Sequence, residues 1–185
     1  MKMTFAIKAG VNNSSAKTFA FSAQKTMYGG KHIARGDRIF VFASENEGGP
    51  GLIAHGVVTS AKAIAKKRGI ARQTPRVSIT VRRVTVAKRR LGRSELKPFS
   101  NWSDGRPETE LNFKFYRQAT NKIVGISDRA AAFLHGFFDD RVSKRRLKRA
   151  KTKLVRLSFV FAIVPGAVVY RNDGKKCRHK SKFSA

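Results

Sequence analysis

The stretch GDRIFVFASENEGGPGLIAHGVV, residues 36–58, decides the fold. After the Gly36-Asp37 turn, Arg38–Ser44 is an aromatic and β-branched run that is typical of a buried strand. The next seven residues hold three glycines and Pro50, and a second β-rich run follows at Leu52–Ser60. The stretch therefore predicts a β-hairpin with a wide loop at its tip.

Two further strand patterns flank this hairpin. Thr18–Ser22 alternates phenylalanine with small residues, and a turn follows at residues 28–30. Val77–Val86 alternates apolar residues with Ser, Thr and Arg, and the pair Arg82-Arg83 interrupts the alternation, which indicates a β-bulge. Between and after these strands, loops or short helical turns are expected in the segments 61–76 and 91–110.

The remaining elements complete the prediction of the fold class. Leu111–Gln118 alternates apolar and polar residues and is interpreted as another strand. Ser127 and Asp128 can cap a helix that continues to Phe138. Five or six strands with one or two helices predict an α+β fold, a small mixed β-barrel rather than a series of β-α-β units.

Composition divides the chain into three segments. With 185 residues, of which 41% are hydrophobic, the protein can form one globular domain with an extension, and a large multidomain enzyme is excluded. We expect a loose N-terminal leader at residues 1–17, the barrel domain at residues 18–140 and a basic C-terminal extension at residues 141–185.

The charge of the protein is strongly positive and unevenly distributed. The chain has 40 Lys or Arg and 11 Asp or Glu, a net charge of +29. Residues 62–93 contribute +12 and residues 141–185 contribute +14, whereas residues 94–140 carry a net charge of −1. A field of this sign attracts polyanions, so the expected partner is nucleic acid, either DNA or RNA.

Several other classes of protein are disfavoured by the sequence. Cys177 is the single cysteine, which excludes a disulfide framework and fits a reducing, intracellular (cytoplasmic) compartment. The four histidines lack the spacing of metal ligands, so neither a metal nor a cofactor is expected. No run of about 18 apolar residues is present, and no association with a membrane is expected.

The hairpin sequence also resembles a known family. The Gly36-Asp37 turn with its strand, the string Ser44–Gly49, the run Gly51–Val58 and the basic strand around Arg82 are similar to the PUA-like superfamily, and within it to domains of the EVE and ASCH type. The resemblance covers residues 18–138. It implies a β-barrel whose mouth receives a flipped and often modified base, which stacks against aromatic side chains.

A base pocket of this kind needs an aromatic wall and polar groups that face the edge of the base. The candidates combine the two aromatic residues with polar residues at strand ends, and they are Ser44, Asn46, Trp102, Tyr116, Gln118 and Asn121.

Each of these candidates also has a plainer interpretation. Trp102 can pack on the barrel as a lid of the core, and Tyr116 can be an exposed tyrosine on a strand. Ser44 and Asn46 suit a turn as well as they suit a base edge.

Cations for the phosphate groups are concentrated around the strand at residues 77–86. An acid-free run of basic residues is usually a solvated face, but here no carboxylate neutralises it, and phosphate binding is favoured. The candidates are Arg82, Arg83, Lys88, Arg89, Arg90 and Arg93.

The sequence thus favours a non-catalytic nucleic-acid-binding domain that reads a base, with a basic C-terminal arm that adds affinity. Two alternatives stay open. One is an enzyme that acts on nucleic acid, a nuclease or an RNA-modifying protein, with Glu45, Glu47 and His55 as its acid-base groups. The other is a basic structural protein that coats nucleic acid without a pocket.

Overall fold

The computed structural model describes residues 3–66, 68–69, 72–117 and 121–139. Within them, the chain forms six strands and several short helical segments. The strands are β1 Thr4–Ala9, β2 Thr18–Met27, β3 Arg38–Ala43, β4 Gly51–Ile64, β5 Arg76–Val86 and β6 Lys122–Ile126. The helices are α1 Arg93–Leu96, α2 Pro107–Asn112 with a π-helical continuation at Phe113–Arg117, and α3 Asp128–His135, and single 3₁₀ turns lie at Gly30–His32, Glu45–Glu47 and Trp102–Asp104.

The strands form a closed, mixed barrel in the order β1-β3-β4-β5-β2-β6. β3 and β4 are antiparallel, so the predicted hairpin is present, and its loop is turned by the 3₁₀ segment and by Gly48 at φ 78°. β1 lies between β3, to which it is parallel, and β6, to which it is antiparallel. The small mixed α+β barrel predicted from the sequence is confirmed.

Two hydrophobic cores follow from the alternation of side chains along the strands. One fills the barrel, with Phe5, Ile39 and Val81 among its members. The other lies between the outer face of β1, β3 and β6 and the helices, where Phe40, Phe42, Leu111 and Phe115 pack. The helices therefore cover one side of the barrel. On the other side, the outward residues Thr18, Ala20 and Arg82 of β2 and β5 are exposed.

The prediction of a loose leader at residues 1–17 is wrong for its first half. Residues 4–9 form β1, and Phe5, Ala6 and Ile7 are almost fully buried. Because β1 has the barrel interior on one face and the helices on the other, both of its faces are covered. The sequence signal is weak, since the strand is six residues long and contains Lys8.

The predicted strand at residues 111–118 is also wrong, because its described residues, 111–117, are helical. Pro107 occupies the first turn of α2, where a proline is well tolerated, and Glu108 and Glu110 favour the same helix end. Lys114 Nζ lies 2.8 Å from Glu110 Oε1, one helical turn away. Leu111 and Phe115 are both fully buried, as residues four apart on one helix face should be.

The remaining predictions differ from the structure only in detail. The Ser127 side chain accepts a hydrogen bond from Ala130 N at 3.1 Å, which confirms the predicted N-cap of α3. β4 continues to Ile64, so the connection to β5 is shorter than expected. The predicted bulge lies one residue further on, at Val84. Arg83 pairs with Gly56 and Thr85 pairs with His55, so Val84 is the extra residue on β5.

Candidate nucleic-acid interface

A cleft rich in cations lies where β5 ends. It has a volume of about 320 Å³, and we call it the basic cleft. Its walls come from the loop between β1 and β2, the start of β4 and the end of β5, and they are Ser14, Ser15, Pro50, Leu52, Ile53, Arg83, Val86, Ala87, Lys88, Arg89 and Arg90. Four of these eleven residues are cationic, and none is acidic.

Two of the four cations are held in place by the protein. Arg83 Nη1 donates a 2.8 Å hydrogen bond to Ser15 O, which ties β5 to the loop before β2. Arg89 Nη2 donates to Gly136 O, and its guanidinium group lies 4.6 Å from the centre of the Phe137 ring. These contacts restrict the positions of the Arg83 and Arg89 guanidinium groups in the cleft.

The other predicted phosphate-binding cations are more exposed. Lys88 and Arg90 line the basic cleft, and Arg90 Nε lies 3.8 Å from Glu95 Oε1 in a solvent-exposed pair. Arg82 and Arg93 are exposed beside the cleft and do not line it. The structure thus places four of the six predicted residues on one concave surface.

A buried polar cluster lies between the end of the barrel and the helices. Glu45 Oε1 accepts hydrogen bonds from the Tyr116 hydroxyl group at 2.6 Å and from Arg93 N at 2.7 Å. Glu45 Oε2 lies 3.2 Å from Lys8 Nζ, and that ammonium group is 3.9 Å from the centre of the Tyr116 ring. Lys8 is 2% exposed, so the charge of this lysine is compensated inside the protein.

The cluster shifts the pKa values of its members in opposite directions. Burial raises the pKa of Tyr116, and the hydrogen bond to the Glu45 carboxylate raises it further. Burial alone would raise the pKa of Glu45, but the hydrogen bonds from Tyr116 and Arg93 N outweigh it and hold that pKa below its usual range. Glu45 is therefore an ionised carboxylate whose partners are other residues of the protein. Tyr116 is half-buried and donates a hydrogen bond to it, so it is not an exposed tyrosine on a strand.

An aromatic cleft of about 440 Å³ lies on the helical side of the molecule. Its lining residues come from the turn after β2, from the segment before and within α2, and from the start of α3, and they are Tyr28, Trp102, Gly105, Arg106, Thr109, Glu110, Lys114 and Ser127. Tyr28 is 38% exposed and Trp102 is 56% exposed. The Trp102 ring packs against Phe113 at a centroid distance of 4.3 Å.

The polar wall of the aromatic cleft is well ordered by its own contacts. Lys114 Nζ lies 2.7 Å from Gly125 O and 2.8 Å from Glu110 Oε1, and it is 5.0 Å from the centre of the Tyr28 ring. Glu110 also accepts hydrogen bonds from the backbone and the hydroxyl group of Ser127. Burial opposes ionisation of Glu110, but these hydrogen bonds lower its pKa. The cleft thus has two open ring surfaces and a fixed pair of opposite charges.

The structure distributes the predicted base-pocket residues over several places. Trp102 lines the aromatic cleft, whereas Tyr116 and the buried Ser44 adjoin Glu45. Asn46 is exposed on the hairpin loop.

The last two predicted pocket residues lie elsewhere again. Asn121, with φ 59°, lines a different depression together with Lys25 and Arg76. Gln118 lies outside the described residues. The candidates therefore do not form one pocket. Tyr28, which the sequence marks only as part of a Tyr-Gly-Gly turn, was missed as the aromatic neighbour of the Trp102 cleft.

The candidate acid-base groups have different surroundings, since Glu45 belongs to the buried polar cluster and Glu47 is exposed on the loop between β3 and β4. His55 packs in an aromatic cluster with Phe40, His135 and Phe138, at centroid distances of 5.1, 5.0 and 6.0 Å. Burial, with His135 and Arg38 nearby, lowers the pKa of His55 to about 4.

Within the described part of the chain, no group of three or more His, Cys, Asp or Glu side chains is arranged to hold a metal ion. None of the described helices is long and apolar enough to cross a membrane.

Two solved structures, both of human thymocyte nuclear protein 1 (THYN1), share this architecture. Human THYN1 in complex with DNA containing 5-methylcytosine is 14% identical to this chain and has a TM-score of 0.52, with 75% of this chain and 98% of that chain covered. The DUF55 domain of human thymocyte nuclear protein 1 is also 14% identical, with a TM-score of 0.50 and coverage of 74% and 99%. The chain therefore shares the fold of human THYN1, a small mixed α+β barrel. No protein-family model matches the sequence, and no curated protein matches it significantly.

At 14% identity the likeness concerns the fold alone. Within this barrel, the basic cleft and the aromatic cleft are concave surfaces made by this chain's own residues. Each of them combines segments that are distant in sequence, since Ser15 meets Arg83 and Tyr28 shares a wall with Trp102.

Proposed function

We propose that this domain binds nucleic acid and that the basic cleft binds its sugar-phosphate backbone. The observation that carries the proposal is the lining of the cleft, with four cations and no carboxylate. Residues 48–94, which supply most of that lining, contain twelve Lys or Arg and no Asp or Glu. A surface with this excess of positive charge attracts a polyanion.

The geometry of the cations supports phosphate as the ligand. Because Arg83 and Arg89 are anchored through backbone carbonyl groups, less conformational entropy is lost when they bind an anion. Guanidinium groups also match the geometry of phosphate oxygens. Lys88 and Arg90, whose side chains are exposed, add positive charge at the edge of the same cleft.

The shared fold gives independent support. The human THYN1 structure contains DNA with 5-methylcytosine, so a barrel of this architecture is compatible with a DNA ligand. For this chain we carry over the class of ligand, nucleic acid.

We extend the proposal to an unpaired base in the aromatic cleft. Phe113 supports one side of the Trp102 ring, while more than half of the Trp102 surface stays accessible for stacking. The volume of about 440 Å³ is within the usual range of small-ligand sites and exceeds what a base requires. Tyr28 provides a second ring, and the Glu110 and Lys114 pair provides an acceptor and a cation for polar edges.

The basic C-terminal segment fits the same function by its charge. Residues 141–185 lie outside the described part of the chain, and they carry a net charge of +14. We propose that this segment adds affinity without sequence preference, because counterion release depends on charge alone.

The experiment that tests this function is a salt titration of binding with matched variants. Labelled DNA and RNA oligonucleotides are titrated with the full chain, and binding is followed by fluorescence anisotropy. The double variant Lys88→Ala with Arg90→Ala removes two exposed cations of the basic cleft. Its control, Lys97→Ala with Arg129→Ala, removes two exposed cations next to α1 and in α3.

We expect the affinity for all sequences to fall steeply with salt. On duplex DNA, the slope of log binding constant against log salt concentration should be about −0.9 for each phosphate contact. The cleft variant should reduce that slope by about 2, and the control should change it much less. A flat salt titration of the wild type, or equal losses in the two double variants, would contradict the proposal.

A further inference from the structure

The open side of the barrel carries a long strip of mostly small or basic side chains. The alternate residues of β2 and β5, such as Phe21 and Ile79, point into the barrel core, so their neighbours face outward. We call these neighbours, with the residues of β4 that pair with them, the outer strip. Its members are Thr18, Ala20, Ser22, Val57, Ser60, Lys62, Ser78, Thr80 and Arg82. None of them is acidic or aromatic.

A second group of cations lies at the far end of this strip from the basic cleft. Lys25, Lys66 and Arg76 border a concavity of about 290 Å³ whose other walls include Thr74 and Pro75. We call these three residues the distal cluster. Arg76 Nη1 is anchored by a 2.9 Å hydrogen bond to Ala23 O, and no carboxylate lines the concavity. Lys25 and Lys66 are exposed.

The two groups of cations are separated by the length of β5. Arg76 begins the strand, and Val86, which ends it, lines the basic cleft. Ten residue steps of about 3.3 Å place the two ends about 30 Å apart. Between the two ends lie the cross-strand pairs Ser60 with Thr80 and Lys62 with Ser78. Three of these four side chains are small, so they project little from the sheet.

We propose that the outer strip binds one turn of a nucleic acid double helix, held by the basic cleft at one end and by the distal cluster at the other. The proposal rests on the function proposed above and adds the form and the length of the ligand. A duplex presents the same face of its backbone again after about 34 Å, which matches the separation of the two cation groups. Small side chains along the strip allow the duplex to approach closely.

The composition of the outer strip favours a duplex over a single strand. Proteins that bind single strands without sequence preference present aromatic side chains on which successive bases stack. The strip has hydroxyl groups, which donate to phosphate oxygens, and the cations Lys62 and Arg82. Such a surface contacts a backbone and gives unstacked bases no platform.

The test compares duplex lengths in the full chain. Labelled DNA duplexes of about 6 and about 12 base pairs, with blunt ends, are titrated with wild-type protein and with Lys25→Ala plus Lys66→Ala. The matched control is again Lys97→Ala plus Arg129→Ala, which removes equal charge from the helical side. A single strand of the longer length is the third ligand.

In the wild type, we expect the longer duplex to bind far more tightly than the shorter one and more tightly than the single strand. The distal variant should bind the short duplex as the wild type does and should lose about tenfold on the long duplex. The control variant should still bind the longer duplex far more tightly than the shorter one. Ser60→Glu, which puts a negative charge in the middle of the strip, should weaken the long duplex further than Ala132→Glu in α3 does.

The outcomes separate this inference from the proposed function. If the distal variant keeps the full gain with duplex length while Lys88→Ala with Arg90→Ala still weakens binding, the duplex proposal is overturned and the basic cleft remains. Equal affinity for the single strand would overturn it too. If the wild type shows no salt-dependent binding to any of the ligands, the proposed function itself is wrong. Circular dichroism melting of each variant shows that the fold is kept.

Discussion

The hydroxyl group of Tyr116 donates a 2.6 Å hydrogen bond to Glu45 Oε1, across 71 residues of chain. This contact joins the π-helical turn after α2 to the loop that follows β3. Arg93 N donates to the same oxygen, and Lys8 is paired with the other one. One carboxylate therefore connects three segments of the chain at the end of the barrel.

We expect Tyr116→Phe to lower the free energy of unfolding by about 1.5 to 3 kcal/mol, the range for a hydrogen bond to a charged group. The ring and its contact with Lys8 remain, so only the hydroxyl contribution is removed. Urea denaturation followed by circular dichroism measures the change. Tyr28→Phe removes a hydroxyl group from an exposed ring and serves as the control. Equal stability of Tyr116→Phe and wild type would show that the bond has no net value.

The parts of the fold that the sequence predicts correctly are those with local signals. The β3–β4 hairpin follows from two apolar runs around a glycine-rich loop, and α3 follows from Ser127 and the apolar face behind it. The pattern at residues 111–116 is compatible with a strand and with a helix. The pair Glu110 and Lys114, which favours the helix, becomes decisive only when the buried partners are known.

The candidate site shows the same division. The acid-free run of cations is visible in the sequence, and the structure gathers four of them in one cleft. The aromatic cleft needs Tyr28 and Trp102, which are 74 positions apart. The polar cluster needs Lys8 beside Glu45. Neither pairing has a local signal, because barrel closure brings these segments together.

His55 makes the stability of the protein depend on pH. Its pKa is lowered to about 4 in the folded state, against about 6.5 when exposed, by burial and by His135 and Arg38. Between these pH values the unfolded chain binds a proton that the native state does not, so stability falls as the pH falls from 6.5 to 4. We expect His55→Phe to remove about 1 to 2 kcal/mol of that loss, after solvent screening at this partly exposed side chain.

Urea denaturation of both proteins at pH 7 and about pH 4.5 measures this contribution. Phe40 and Phe138 already surround the ring, so a phenylalanine is compatible with the cluster. His32→Gln, at an exposed position, is the control and should leave the pH dependence of wild type unchanged. An identical pH dependence in His55→Phe would contradict the assignment.

Lys122 is 1% exposed, and its Nζ atom has no hydrogen-bond partner among the described residues. Burial lowers the pKa of this lysine below its usual value of 10.5. We expect Lys122→Met, which keeps the length of the side chain, to stabilise the protein by about 1 to 3 kcal/mol at pH 7.

The pH dependence gives this prediction a second readout. In the wild type, stability should rise with pH between the lowered pKa of Lys122 and 10.5, because over that range the unfolded chain holds the extra proton. Lys122→Met should lack this rise. Lys25→Met, at an exposed position paired with Lys122, is the control and should change the stability little. A destabilised Lys122→Met protein would show that the ammonium group has a favourable partner.

Trp102→Ala separates the two interpretations of the only tryptophan. Because this side chain is 56% exposed and rests on Phe113, its removal leaves the cores of the protein intact. If a base stacks on it, binding of an oligonucleotide with an unpaired base should weaken by about 1 to 3 kcal/mol, and the salt-dependent part of the affinity should stay. A tryptophan that serves only as a lid predicts a lower melting temperature and no change in base preference.

Both quantities are measured on the same protein, with anisotropy titrations against a panel of modified and unmodified oligonucleotides and with thermal melting. Tyr28→Ala, which removes the other ring of the aromatic cleft, should reduce the same base-dependent term, whereas Phe99→Ala outside the cleft should leave it unchanged. Trp102→Phe should restore part of the stacking, since every base has a face that a smaller ring can contact. If Trp102→Ala melts at a lower temperature and binds every oligonucleotide as the wild type does, no base stacks in the aromatic cleft, and nucleic acid is bound through phosphate contacts alone.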